Sequence, residues 1–420
     1  MALYSSMSKT QLEEEYEVLR QAYENYKAEG HNLNMARGKP GAEQLALSTD
    51  MLNVLTPDSV FKTEDNPDVR NYGGLAGIIE AKRLFADLME VSPENVFVGG
   101  NSSLNMMFDT IACLCEQLWK GQENLKFLCP APGYDRHFGV TEYFGFELIT
   151  VPMTENGPDM DVVEKLVAED ASIKGIWIVP KYSNPQGITC SDETVRRFAA
   201  LKPAAKDFRI MWDNAYIVHD INDTPDKLLN IFDEVKKTGN EDMVFEFCST
   251  SKITFPGAGV AALAASENNL KLLTKRYQFQ TISHDKLNML RHVQYFGDLN
   301  GLLNHMQKHR AILQPRFERV LSILDNDLAG SGVAEWTKPN GGYFISVDVL
   351  PGTAKKVVDL CKQAGVVLTG AGATFPYGKD PADKNIRIAP TYPSLEELEK
   401  AMEIFCVCAK MAAAEALIGA

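Results

Sequence analysis

No stretch of about 18 consecutive apolar residues, the length a helix needs to cross a bilayer, occurs in the 420-residue chain. The amino-terminal stretch also lacks the apolar core of a secretory signal. These absences predict a cytoplasmic protein with no membrane partner. Excess positive charge is missing too. The 42 Lys and Arg face 56 Asp and Glu, a net charge of −14, which argues against the clustered basic surface that nucleic-acid backbones require. The eight cysteines, at 113, 115, 129, 190, 248, 361, 406 and 408, lack the second spaced pair of a zinc site. Several lie inside apolar runs, which points to buried thiols in a reducing compartment. No internal repeat or low-complexity segment is present.

What is present is an ordinary globular composition, 45% hydrophobic and 23% charged, in a chain long enough for two domains. Short apolar runs at 96–98, 125–129, 146–152, 175–179, 209–212, 243–247 and 260–264 alternate with segments mostly long enough for helices. That alternation predicts an α/β large domain, residues 45–295, built on a mostly parallel seven-stranded sheet. Residues 9–29 place Leu12, Tyr16, Leu19, Ala22 and Tyr26 at helical spacing. The helix-like segment 271–325, with Leu273, Leu287, Leu290, Leu302, Leu303 and Leu313 as its apolar places, carries the chain onward. Strand runs at 343–349, 366–369 and 386–388, with helices over 353–364 and 394–415, predict a smaller α+β domain formed by residues 1–44 and 296–420.

The chemistry gathers around Cys248-Ser249-Thr250-Ser251-Lys252, placed after the strand run Met243–Phe247. The carboxyl ends of such strands are where open α/β sheets bind ligands. An amine fixed there beside small hydroxyls suits a carbonyl cofactor carrying a phosphate. Asp213 and Tyr216, in Trp212-Asp213-Asn214-Ala215-Tyr216, follow another strand. There a carboxylate can hold a protonated ring nitrogen and a phenol can donate to a ring oxygen, although a capped loop would use the same residues. Asn184-Pro185-Gln186-Gly187 reads equally as a turn. Gly99-Gly100-Asn101-Ser102-Ser103 joins a strand to a helix, a setting in which backbone N–H groups make an anion site. Arg387 sits inside the apolar run Ile386-Arg387-Ile388, where a buried guanidinium needs a partner such as a carboxylate.

In this order and spacing, from about residue 30 to 400, these stretches and Pro339-Asn340-Gly341-Gly342-Tyr343-Phe344 resemble the fold-type I aminotransferases that use pyridoxal 5′-phosphate (PLP). Within them the chain is most similar to the aspartate aminotransferase branch of class I. The resemblance implies that Lys252 carries PLP and serves as general base and acid, and that Asp213 holds the pyridine nitrogen. It gives Asn184 and Tyr216 the ring oxygen, and Tyr134 a stack on the ring. Asn101, Ser102, Ser103, Ser249 and Ser251 would hold the phosphate, joined by Tyr72 from a neighbouring subunit, hence a homodimer with a shared active site. Arg387 would take the substrate α-carboxylate, and Gly38 would line the pocket with Asn184.

There are departures from the family pattern. Val260 stands eight residues after Lys252, where the family places a phosphate-binding arginine. Lys286 is the candidate replacement, reaching across the dimer or within the subunit. No clear match exists for the family's second substrate arginine; Arg37, Lys39, Arg136 and Lys286 are the candidates. The expected reaction transfers the amino group of L-aspartate to 2-oxoglutarate by a ping-pong mechanism. An aminotransferase for aromatic or other amino acids, or a PLP-dependent β-lyase on the same fold, is the alternative. A PLP-binding regulator fused to a DNA-binding helix-turn-helix fits poorly with the acidic charge and the short segment before Asn34.

Overall fold

All seven apolar runs form strands of one sheet, over Val96–Val98, Lys126–Ala131, Glu147–Thr154, Ile173–Ile178, Arg209–Asp213, Val244–Ser249 and Ala261–Ala265. The computed structural model describes residues 3–419. An eighth strand, the two residues Gly157–Pro158, extends one edge as a hairpin on Met153 and Thr154 and is too short to leave a signal in the sequence. From edge to edge the strands begin at residues 96, 261, 244, 209, 173, 126, 147 and 157. The four inner pairings from Val244–Ser249 to Glu147–Thr154 are parallel, and Ala261–Ala265 runs against both its neighbours.

The central strands Ile173–Ile178 and Arg209–Asp213 are buried along their whole length, as strands covered on both faces must be. One apolar cluster, including Ile176, Ile210, Trp212 and Val244, fills one side of the sheet. Another, including Phe127, Trp177, Met211 and Phe245, fills the other. Successive residues alternate between the two because strand side chains alternate faces.

A third cluster is built from the helices Lys9–Ala28 and Leu395–Ile418 and the sheet strands Ala334–Trp336, Ile345–Val349 and Asn385–Ile388. Both helices begin with reciprocal caps, Ser8 with Gln11 and Ser394 with Glu397. Leu12, Leu19 and Tyr23 form the buried stripe of the first helix, with Tyr16 and Tyr26 half-buried beside it. The apolar stretch after the large sheet breaks into three helices, Glu267–Gln280, Lys286–Phe296 and Leu299–Leu328. Leu287 and Leu303, expected inside, are 39% exposed; Leu290 and Leu302 take the inward positions. The last of these helices is 30 residues long and joins two cores: Leu302 and Met306 belong to the sheet core, Leu313 to Leu328 to the third cluster. Among the described residues no helix is long and apolar enough to cross a membrane.

Candidate active site

The carboxyl ends of the parallel strands open on a cleft of about 470 Å³, lined among others by Lys252, Asp213, Asn184, Tyr216, Tyr134 and Arg387. All but Arg387, which lies inside the strand Asn385–Ile388 of the smaller sheet, follow or close a strand of the large sheet. Asp213 closes the strand Arg209–Asp213, Lys252 follows Val244–Ser249 by three residues, and Asn184 sits in the turn after Ile173–Ile178. Arg37, Gly38 and Ser103 also line it.

Asp213 is 2% exposed, and its two oxygens differ. Oδ2 meets Nε2 of His137 at 2.8 Å, while Oδ1 is buried without any partner. His137 stacks on Trp177 at 4.5 Å and 8° and meets the Tyr134 ring edge-on at 4.9 Å. Sequence reasoning missed His137. The available signal was its place one turn beyond Tyr134 in the helix Asp135–Tyr143.

The Lys252 amine lies 5.1 Å from the centre of the Tyr216 ring and 5.8 Å from that of Tyr343. Burial pushes its pKa below the ordinary lysine value, and the Asp213 charge pulls it part of the way back. Tyr216 is buried, and burial raises its phenol well above the usual range, so it stays a donor. Burial also pushes the Tyr134 phenol up to about 12.

The residues behind Lys252 were not legible in the sequence. Tyr343 donates to the Lys252 carbonyl (3.4 Å) and accepts from Gln44 (2.9 Å). Nε2 of His305 and Nε2 of His309 both lie 2.9 Å from the carbonyl of Ile253.

Arg387 is 8% exposed. Its Nη1 contacts Asp135 (3.3 Å) and Asn184 Oδ1 (3.2 Å), its Nη2 donates to Thr369 (3.3 Å), and its Nε has no partner. The guanidinium lies over the Phe344 ring, 4.7 Å from its centre. Gly38 makes this possible, because a Cβ there would stand 2.3 Å from the Phe344 ring. That close approach, not a special φ, is what requires glycine at 38.

The phosphate-side residues gather less tightly. Ser102 caps the helix Ser103–Gln117 through Asn105, so its hydroxyl is engaged. Ser249 donates to Ser251 at 3.1 Å, and Ser251 lies 3.5 Å from the carbonyl of Asn101, which joins the two loops. Val260 is 2% exposed, packed where the resemblance placed an arginine, and its N–H donates to Thr250 at 2.9 Å. Lys286 is outside the cleft, 4% exposed and packed on Gly74 of the Tyr72 loop. Two residues before it, His284 accepts from the Gly100 N–H at 3.1 Å. Tyr72 is 80% exposed and does not reach the cleft of its own chain. Lys39 also points elsewhere, over the Tyr392 ring at 4.0 Å.

The family model for aspartate amino-transferase matches residues 7–420. The chain belongs to this family. An aspartate aminotransferase of Corynebacterium glutamicum is 46% identical over 407 residues, 95% of this chain and 94% of that one. The crystal structure of an aspartate transaminase from the same species superposes with a TM-score of 0.96 at 44% identity, covering 99% of both chains. A Thermus thermophilus α-aminoadipate aminotransferase, solved with N-(5′-phosphopyridoxyl)-L-leucine, shares the fold at 19% identity and a TM-score of 0.72, over 92% and 93% of the two chains. As a member of the aspartate aminotransferase family, the chain is a PLP-dependent aminotransferase of fold type I.

Proposed function

We propose that the enzyme transfers the amino group of L-aspartate to 2-oxoglutarate by a ping-pong mechanism, as a homodimer. The observation that carries the proposal is the cleft's charge pattern. On a chain of net charge −14, its lining holds Arg37, Arg136, Arg387 and Lys252 against only Asp135 and Asp213. A substrate with two carboxylates suits that excess; an aromatic side chain leaves it uncompensated.

The residues present fit PLP at its ring end. The unpartnered Oδ1 of Asp213 is an acceptor awaiting a cationic N–H, which a protonated pyridine supplies. His137 holds the other oxygen and so fixes the carboxylate's orientation. Asn184 and Tyr216 supply donors to the ring oxygen, and Tyr134 an aromatic face. Backbone N–H groups at the start of Ser103–Gln117, that of Ser102 included, receive the phosphate together with the side chains of Asn101, Ser103, Ser249 and Ser251. Lys286 and the partner subunit's Tyr72 complete that end.

When bound, PLP supplies an electron sink for the carbanion at the substrate Cα. Nζ of Lys252, its pKa lowered by burial, takes the Cα proton and later returns one. Arg387 grips the α-carboxylate with a guanidinium held over the Phe344 ring. Arg37 and Arg136, both exposed at the mouth, meet the distal carboxylate.

The same reading divides the chain into a cofactor-binding domain over 45–295 and a smaller one from 1–44 and 296–420. The two cores joined by the helix Leu299–Leu328 support that division. The test is an initial-rate survey of amino donors with 2-oxoglutarate. The proposal expects L-aspartate to lead, with parallel double-reciprocal lines. It also expects Arg37→Gln with Arg136→Gln to raise the KM for aspartate far more than for alanine. A preference for aromatic donors untouched by those substitutions would overturn the substrate assignment.

A further inference from the structure

The strand that delivers Asp213 to the active site begins with Arg209 at the opposite end of the sheet. Arg209 is 7% exposed and lies in the floor of a separate surface cleft of about 940 Å³. A buried guanidinium keeps its charge and needs an anion. Here Nη1 donates to the neighbouring carbonyl of Phe208 at 2.9 Å, and Nε, itself buried, has no partner among the described residues.

The two carboxylates whose charge reaches it, Asp242 and Asp207, form no hydrogen bond with it among the described residues. Asp207 is held by Lys174 and Gln122, each at 2.8 Å. Asp242 accepts from Ser266 and from Asn268. Burial lowers the pKa of Arg209, with Asp242 and Asp207 opposing it. The result is a charge positioned for a ligand anion, which guanidinium binds in a bidentate manner. The walls narrow the ligand class. Lys202 and Lys206 flank the cleft, as do Glu241, Asp242 and Glu267, the last in an exposed pair with Lys271 at 2.7 Å that contributes little and leaves its carboxylate accessible. Acidic groups beside a cationic floor disfavour a bare polyanion and favour a ligand that carries both signs.

We infer that this cleft binds a small zwitterion of the amino-acid type, its carboxylate on Arg209 and its cationic nitrogen toward Glu241 and Glu267. The site stands apart from Lys252, separated from Asp213 by the length of one strand, about 13 Å.

The test uses the full-length, PLP-loaded protein and betaine (N,N,N-trimethylglycine), which keeps both charges but cannot form an imine. Binding is followed by ligand-observed NMR, with inorganic phosphate at matched ionic strength as the comparison. Saturable betaine binding is expected, at least tenfold tighter than phosphate. It should weaken at least tenfold in Arg209→Gln and stay within twofold in Arg387→Gln. The surface double variant Glu241→Gln with Glu267→Gln, which leaves the buried arginine in place, should weaken betaine several-fold. Arg209→Gln is accepted as folded if its cofactor absorbance and aspartate turnover stay within about twofold of wild type.

Absence of saturable betaine binding would overturn the site. So would binding undiminished in either cleft variant, or binding lost in Arg387→Gln. Phosphate binding as tightly as betaine would overturn the zwitterion.

Discussion

At the ring end of the catalytic cleft, Lys252, Asp213, Asn184, Tyr216 and Tyr134 line one space, backed by His137, Tyr343 and the His305–His309 pair. At the phosphate end, an apolar Val260 is packed where an arginine was expected, Ser102 is spent on a helix cap, Lys286 is turned toward Gly74, and Tyr72 stands on the surface. One end gathers its side chains within a single chain; at the other, the proposal relies on a helix terminus, small hydroxyls and a second subunit. The difference teaches that buried charge and packing are concentrated around Lys252 and Asp213, while the proposed phosphate end holds, among the described residues, no buried cation that lines the cleft. Substitutions at the two ends should therefore fail in different ways.

The largest effect belongs to Lys252→Ala, which should lower turnover by at least about 10⁴-fold, checked by steady-state assay with excess PLP. Residual activity within tenfold of wild type would break the assignment of the base. Next comes Asp213→Asn, which removes the charge paired with the ring nitrogen and should cost on the order of 10²-fold or more in kcat. Aspartate half-reaction rates measure it.

Lys286→Met should spare kcat at saturating PLP and weaken PLP retention by about tenfold, the scale of one charge-assisted hydrogen bond. Equilibrium dialysis of the cofactor reads it. A loss in kcat instead would move Lys286 to the chemistry and erase the contrast between the two ends.

The smallest effects are on stability. Glu246, on the strand beside Trp212 and bonded to Asn214 at 2.8 Å, is pushed up to about 8 by burial. Its folded pKa exceeds the unfolded one, so its contribution is full below about 4.5 and lost as pH rises through 8. Glu246→Gln should match wild type at pH 5 and exceed it at pH 9 by on the order of 2 kcal/mol in chemical denaturation. On the acid side, His292 and His309 beneath the Lys252 turn are both held down to about 4 by burial. Their contribution is present above 6.5 and lost as pH falls through 4, so the thermal midpoint should drop across that window.

Legibility followed the same division. The seven strands are legible in their own apolar runs, whereas Lys252, Asp213, Asn184 and Arg387 are legible through the order and spacing of motifs that resemble a family, since each motif alone also reads as a turn, a cap or a surface charge. His137 left only its place one turn beyond Tyr134 as a signal, because its role depends on a contact with Asp213, 76 residues away. Asp135 reaches Arg387 across 252 residues, and Gln44 reaches Tyr343 across 299. Such contacts are made by tertiary packing and leave no periodicity to read. Gly157–Pro158 escaped for the opposite reason, being a strand of two residues. The burial of Lys286 could not be read from a polar helix start, since it depends on tertiary packing that includes Gly74, far earlier in the chain.

The most direct test of the central claim is the near-ultraviolet and visible spectrum of the PLP-loaded protein, taken before and after L-aspartate and then after 2-oxoglutarate. The account predicts a lysine-bound cofactor band that converts to the pyridoxamine form with aspartate and returns with 2-oxoglutarate. A loaded protein whose band ignores aspartate, or that shows no lysine-bound band at all, would contradict it.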